Sequence, residues 1–258
     1  AVSELFENEG FAIVDKNEVA DVYVINTCTV TSLSDSKSRQ FIRKSKKENP
    51  NSSVVVMGCY SQVSPEEVEA IEGVDIILGT SERNKIVDLT KEYQQNKKKV
   101  NIVRDIHKDS DFQPINIERL KGMTRAYIKV QDGCNQYCSY CIIPYARGNV
   151  RSRSPIDVKA EVEKLCFNGF QEVVITGIHV ASYGKDLKNF KLIDLLEFIH
   201  DVEGLERIRL SSMEQSLIDE DFMSRVSKLH KFCDHFHLSL QSGSDTVLKR
   251  MNRRYTSS

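Results

Sequence analysis

The chain of 258 residues is long enough for one large domain or two ordinary ones with a buried core. With 12 Gly, 5 Pro, 40% apolar and 28% charged residues it is not low-complexity, collagenous or disordered. A formal net charge of −1 argues against a surface that grips phosphate throughout, and no apolar run could span a bilayer.

No secretory leader is visible, so a soluble, cytoplasmic protein with no membrane association is expected. Seven cysteines in such a chain suit metal ligation or thiol chemistry better than disulfides.

Residues 1–10 read as a helix ended by Gly10, without the strand that should feed it. This suggests a piece of a longer chain, in which a further ligand precedes residue 1. Val22 to Ile25 is a strand that leads through Asn26 and Thr27 to Cys28, and a polar helix is predicted from about Thr31 to Asn49. A second strand, Val54 to Met57, leads through Gly58 to Cys59. Ser64-Pro65-Glu66-Glu67 opens a helix, Val74 to Leu78 is a third strand, and a helix follows from about Glu82 to Gln94. Alternating strands and helices imply a parallel sheet with its chemistry beyond the carboxyl ends of the strands. Cys28 and Cys59 should therefore emerge on one edge.

Residues 96–121 turn polar and read as a linker between a first domain, 1–95, and a second, 122–258, with a short strand at Val100 to Val103. In the second domain, strands are predicted at Ala126 to Val130, Glu172 to Thr176, Ile208 to Leu210 and His235 to Leu240. Helices are predicted at Pro155 to Phe167, Leu192 to Val202 and Asp219 to Leu229. This alternation implies a parallel barrel or open sheet, cut at its carboxyl end.

Cys134, Cys138 and Cys141 follow the first of these strands. Zinc is one reading of such spacing, but a structural zinc site needs four ligands, and no Cys or His follows until Cys166. An iron-sulfur cluster with three protein thiolates and one open iron explains the count better. Cys166 and Cys233 read as core thiols.

With Tyr140 directly before the last cysteine, this loop resembles the radical S-adenosylmethionine (SAM) enzymes. Cys138 to Arg153, Asn26-Thr27-Cys28, Gly58-Cys59 and Gln241-Ser242-Gly243-Ser244-Asp245 are together similar to the methylthiotransferases that modify tRNA. Thr176 to Gly184 is most similar to the branch acting on N6-threonylcarbamoyladenosine at position 37; the branch acting on isopentenyladenosine usually reads Gly-Gln-Asn where this chain has Gly177-Ile178-His179.

The resemblance implies an α/β protein: a parallel-sheet methylthiotransferase domain, its first strand missing, followed by a partial radical SAM barrel. It implies two 4Fe-4S clusters and SAM as cofactors. One cluster would sit on Cys134, Cys138 and Cys141 and an auxiliary one on Cys28, Cys59 and a third cysteine absent from this sequence. Tyr140, Gly177, Gln241 and Ser242 would contact SAM, and no catalytic residue beyond the cofactor ligands is implied. Arg147, Arg151 and Arg153 are read as RNA-binding, while Lys249, Arg250, Arg253 and Arg254 form a second basic patch, either functional or a solvated face. The implied partners are a tRNA anticodon loop and an electron donor such as a flavodoxin or ferredoxin, with the protein a monomer. Competing readings are methylthiolation of isopentenyladenosine, a non-catalytic zinc-stabilised RNA-binding protein, and an inactive fragment of an active parent.

Overall fold

A computed structural model describes residues 2–29, 31–109, 111–113 and 124–257, and the fold divides into two compact units, each with its own core. The first unit reaches Asp109 and includes Tyr145–Arg147; the second holds the rest of the chain.

In the first unit, α1 (Val2–Asn8) ends before Gly10, whose φ of 85° lets the chain leave the helix. Then come β1 (Val22–Thr27), α2 (Ser32–Glu48), β2 (Ser53–Gly58), α3 (Cys59–Val63), α4 (Pro65–Glu69), β3 (Ile76–Ile77), α5 (Ile86–Asn96) and β4 (Val100–Asn101). The Thr31 hydroxyl accepts from Ser34 N and so fixes the start of α2. The four strands form a sheet in the order β1-β2-β3-β4, parallel throughout. Strand β2 is apolar without a break because both its faces are covered: Val55 and Met57 pack with Phe6, Ile86 and Tyr93 on one side, Val54 and Val56 with Ile42 and Val68 on the other. The buried Asp75 carboxylate ties this layer together, accepting from Val54 N at 2.8 Å, Lys46 Nζ at 2.7 Å and the Tyr93 hydroxyl at 2.5 Å. Burial and the Asp75 carboxylate push the Tyr93 hydroxyl up to about 12.

Strand β4 moves the first boundary beyond the expected residue 95. Val100 and Asn101 pair with Ile76 and Ile77, Gln62 donates to Arg104 O at 2.8 Å, and Ile106 is buried, so the stretch from 96 to 109 belongs to the first unit. The remainder of the expected linker lies largely outside the described residues.

The second unit comprises β5 (Ala126–Asp132), α6 (Ile143–Arg147, whose last three residues group with the first unit), β6 (Arg151–Ser152), α7 (Pro155–Phe167), β7 (Glu172–Gly177), α8 (Leu192–His200), β8 (Arg207–Leu210), α9 (Glu220–Val226) and α10 (Asp245–Arg250). Helix α7 keeps its predicted bounds and buries Val158, Val162 and Leu165 against β5 and β7 residues such as Ile128 and Ile175. The sheet order is β6-β5-β7-β8, with β5, β7 and β8 parallel and β6 antiparallel to β5. The strand expected at His235 to Leu240 does not form; one bridge, Met213 to Leu238, marks its place. Among the described residues no helix is long and apolar enough to cross a membrane.

Gly58 closes β2 at φ 111°, and a Cβ there would lie 2.4 Å from Thr27 O and 2.8 Å from Asn26 Oδ1. Gly58→Ala is therefore expected to cost about 1–3 kcal/mol in backbone strain alone, read as a lower urea midpoint at unchanged slope.

Candidate metal centre

The register of the first sheet pairs Thr27 with Gly58, so Cys28 and Cys59 are the next residues on adjacent parallel strands and share one sheet edge, as expected. The Thr27 hydroxyl donates to Met57 O at 2.7 Å and locks the two strand ends together. Cys28 is exposed, whereas Cys59 is buried at the first position of α3, a helix that the sequence reading missed because it opens without a capping side chain.

The second cysteine group occupies the loop after β5. Gly133 must be glycine: its φ is 73°, and a Cβ would lie 1.7 Å from Asn149 O. The loop is pinned at its start by Cys134 N donating to Gly148 O at 3.0 Å and turned at its end by Cys141 N donating to Cys138 O at 2.9 Å. Cys134 is buried, Cys138 and Cys141 partly so. Burial pushes the Cys134 thiol up, and negative charge on Cys138 or Cys141 would push it further. Burial also raises Cys138, with the nearby Arg253 charge partly offsetting it.

Among the described residues no three His, Cys, Asp or Glu side chains close on a single metal ion. Three thiolates on one loop suit a multi-iron cluster, in which each takes a different iron, better than a structural zinc ion, which wants four ligands.

Polar side chains of β5 and of later segments are tied to the cysteine loop or to one another. The buried Gln131 side chain donates to Asp132 O and Gly133 O, each at 2.7 Å, and accepts from His179 N at 2.7 Å, so it couples the cluster loop to the turn after β7. Gly177 is the last residue of β7, paired with Gln131, and a Cβ there would come within 3.0 Å of Gln131 Oε1. Glu214, after β8, is 5% exposed; it accepts from Arg253 at 2.8 Å and Ser216 at 2.8 Å, with His179 Nε2 3.5 Å away. Burial alone would push the Glu214 carboxyl up, but its polar neighbours, the Ser216 hydroxyl and the Arg253 charge among them, hold it below the usual carboxylate range. Tyr140 is about half exposed; its hydroxyl donates to Gln241 Oε1 at 3.0 Å and accepts from Arg253 at 3.0 Å. Ser242 does not join them, because its hydroxyl accepts from Ser244 N within its own turn.

The predicted RNA-binding arginines separate. Arg153 is 5% exposed and ion-paired with Glu161, and its Nη2 donates to Asp157 O at 3.2 Å. Arg151 is 6% exposed on β6 and donates to Asn149 O at 3.3 Å. Burial and internal partners hold both guanidiniums inside the second unit, where the sequence reading expects them to face RNA. Arg147 is partly exposed and groups with the first unit. Gln131, Glu214 and Arg253 were not singled out for this site by sequence reading; a glutamate four residues past a strand end was the one visible trace of Glu214.

The sequence pattern of the radical SAM superfamily matches residues 128–258, and that of uncharacterized protein family UPF0004 matches residues 1–79. The chain is 44% identical over 257 residues to the threonylcarbamoyladenosine tRNA methylthiotransferase MtaB of Bacillus subtilis (strain 168), covering 99% of this chain and 57% of that protein. It is 39% identical over 263 residues to a tRNA-2-methylthio-N(6)-dimethylallyladenosine synthase of Dictyoglomus thermophilum, covering 99% of this chain and 58% of that protein. The chain thus spans somewhat more than half the length of each relative. Among solved structures, the radical SAM methyltransferase TsrM from Kitasatospora setae, with cobalamin and a 4Fe-4S cluster bound, superposes with a TM-score of 0.66 at 16% identity, covering 99% of this chain and 61% of that one.

Proposed function

Because the chain belongs to the radical SAM superfamily, we propose that it carries the cluster-binding and radical-generating part of a tRNA methylthiotransferase. Its substrate would be N6-threonylcarbamoyladenosine at position 37, methylthiolated at carbon 2. The observation that carries this reading is the pairing of two thiol sites in one chain: Cys28 with Cys59 on one sheet edge, and Cys134, Cys138 and Cys141 on the loop after β5. The greater identity to the threonylcarbamoyladenosine enzyme supports the choice of substrate.

Cys134, Cys138 and Cys141 would hold a 4Fe-4S cluster with one iron left for SAM, and Cys28 and Cys59 would supply two ligands of the auxiliary cluster. A cluster bound there would supply one-electron chemistry toward SAM, and the loop's own residues would orient it and shield it from water. Tyr140, fixed through its hydroxyl by Gln241 and Arg253, offers an exposed ring for an adenine to stack on. Gly177 leaves room where any side chain would crowd Gln131. The burial of Cys134 keeps water from one side of the loop. The setting is a cytoplasmic monomer that binds an anticodon loop and receives electrons from a flavodoxin or ferredoxin.

Anaerobic reconstitution of the chain followed by reaction with anticodon stem-loops bearing either modified adenosine tests the reading. The expected outcome is 5'-deoxyadenosine together with a methylthio product from the threonylcarbamoyl RNA. Preference for the isopentenyl RNA, which the 39% identity to a dimethylallyladenosine synthase brings into the test, would reassign the substrate. Stoichiometric zinc with no SAM cleavage would end the enzyme reading.

A further inference from the structure

The segment that leaves α10 reaches back to the cysteine loop at successive residues. Met251 O accepts from Ser139 N at 3.1 Å, and Asn252 Nδ2 donates to Tyr137 O at 2.8 Å and more weakly to Gln136 O at 3.4 Å. Arg253 Nη2 donates to the Tyr140 hydroxyl, and Arg254 Nη2 donates to Asn135 O at 3.3 Å. The contacted loop residues, 135 to 140, lie between the first and last cysteines.

Two left-handed residues meet here. Tyr137 has φ 49° and Asn252 φ 56°. Asparagine takes that conformation readily, but a bulky tyrosine does so only where its surroundings enforce it. The Asn252 amide is bonded to the carbonyl of that same tyrosine. Arg253 is fixed in turn: its Nη1 pairs with the buried Glu214 at 2.8 Å, its own N donates to Leu248 O at 2.9 Å, and its guanidinium lies 5.7 Å from the Tyr255 ring centroid. The Tyr255 hydroxyl donates to Leu240 O at 3.0 Å. The basic patch read from Lys249, Arg250, Arg253 and Arg254 therefore splits, and its last two members turn onto the loop.

We propose that residues 251–254 form a clasp that holds the cysteine loop in its ligating shape before iron arrives, with Asn252 and Arg253 as its positioning residues. The clasp is a feature of the apo chain; its consequence for iron rests on the cluster reading above. A loop of three ligands folded in advance loses less conformational freedom when the cluster assembles than one that must fold around it.

Asn252→Asp and Asn252→Gly both tolerate the left-handed backbone and remove the donors to Tyr137 O and Gln136 O. In the apo full chain, amide exchange across residues 136–141 is expected to accelerate roughly fivefold to tenfold, the scale of removing one hydrogen bond, while exchange in β5 and α7 is unchanged. After reconstitution both variants, and Arg253→Lys, which cannot span Glu214 and Tyr140 together, should take up less iron at limiting supply. The reduced cluster of each should show a broadened or shifted electron paramagnetic resonance signal.

Wild-type exchange in the Asn252 variants overturns the clasp, as does faster exchange with wild-type iron content and signal. A wild-type chain that takes up no iron sinks the cluster reading, but the apo exchange result stands on its own.

Discussion

Cys138→Ala is expected to remove roughly four irons per reconstituted chain and to take SAM cleavage below detection, because a 4Fe-4S cluster held by three thiolates has no protein ligand to spare. The neighbouring cysteines cannot substitute. Cys134 is pinned through its backbone to Gly148 O, and Cys141 through its own N to residue 138, so each thiol is committed to one place on the loop. Cys166, on the far end of α7, and Cys233, after α9, belong to other parts of the fold. Cys59→Ala should give a different phenotype. Cys59 belongs to the first unit, which has its own apolar cores on both faces of its sheet, so SAM cleavage should persist while methylthio product disappears. Iron and sulfide counts, 5'-deoxyadenosine by chromatography and modified nucleoside by mass spectrometry separate the two outcomes. A Cys138→Ala chain that keeps its iron and still cleaves SAM would sink the assignment of the triad.

How much of this was legible in the sequence depends on the range of the forces involved. The run Val54 to Met57 announced β2, since an unbroken apolar stretch is what a strand covered on both faces requires, and the shared edge of Cys28 and Cys59 followed from the parallel alternation. Helix α7 was legible from its proline at the start and its apolar spacing. The two-residue strand β6 was not, because two residues carry no period; its antiparallel pairing to Gln131 and Asp132 rests on partners some 20 residues away. The stretch His235 to Leu240 alternates like a strand but makes only a single bridge. Asn252 was invisible as a site residue, since its role lies in an amide bonded to a carbonyl 115 positions away. Sequence shows that an arginine is charged. It does not show which acid holds it.

Arg153 turns that last point into a prediction. Glu161, one helical turn and a half into α7, is 9% exposed in its side chain and Arg153 6%, so neither charge is well solvated and each depends on the other. Removing one partner of a buried pair leaves an uncompensated charge, at a cost of about 3–5 kcal/mol. Glu161→Ala is therefore expected to lower the urea midpoint by roughly 1–3 M at ordinary slopes, with Arg153→Met close behind. The paired replacement Arg153→Met with Glu161→Leu should recover most of the stability, since it removes both charges and keeps the volume apolar. The Arg153 backbone also carries structure, donating to Val130 O at 2.8 Å and accepting from the Tyr183 hydroxyl at 2.8 Å, and a side-chain exchange leaves both bonds in place. RNA binding supplies the second arm. Replacing an arginine that neutralises a phosphate reduces the salt slope of affinity by about 1, whereas replacing one committed to Glu161 leaves that slope unchanged. The doubly replaced chain, stable enough to assay, should bind an anticodon stem-loop with the wild-type salt dependence. A slope lower by about 1 would return Arg153 to the RNA surface and make its pairing with Glu161 secondary.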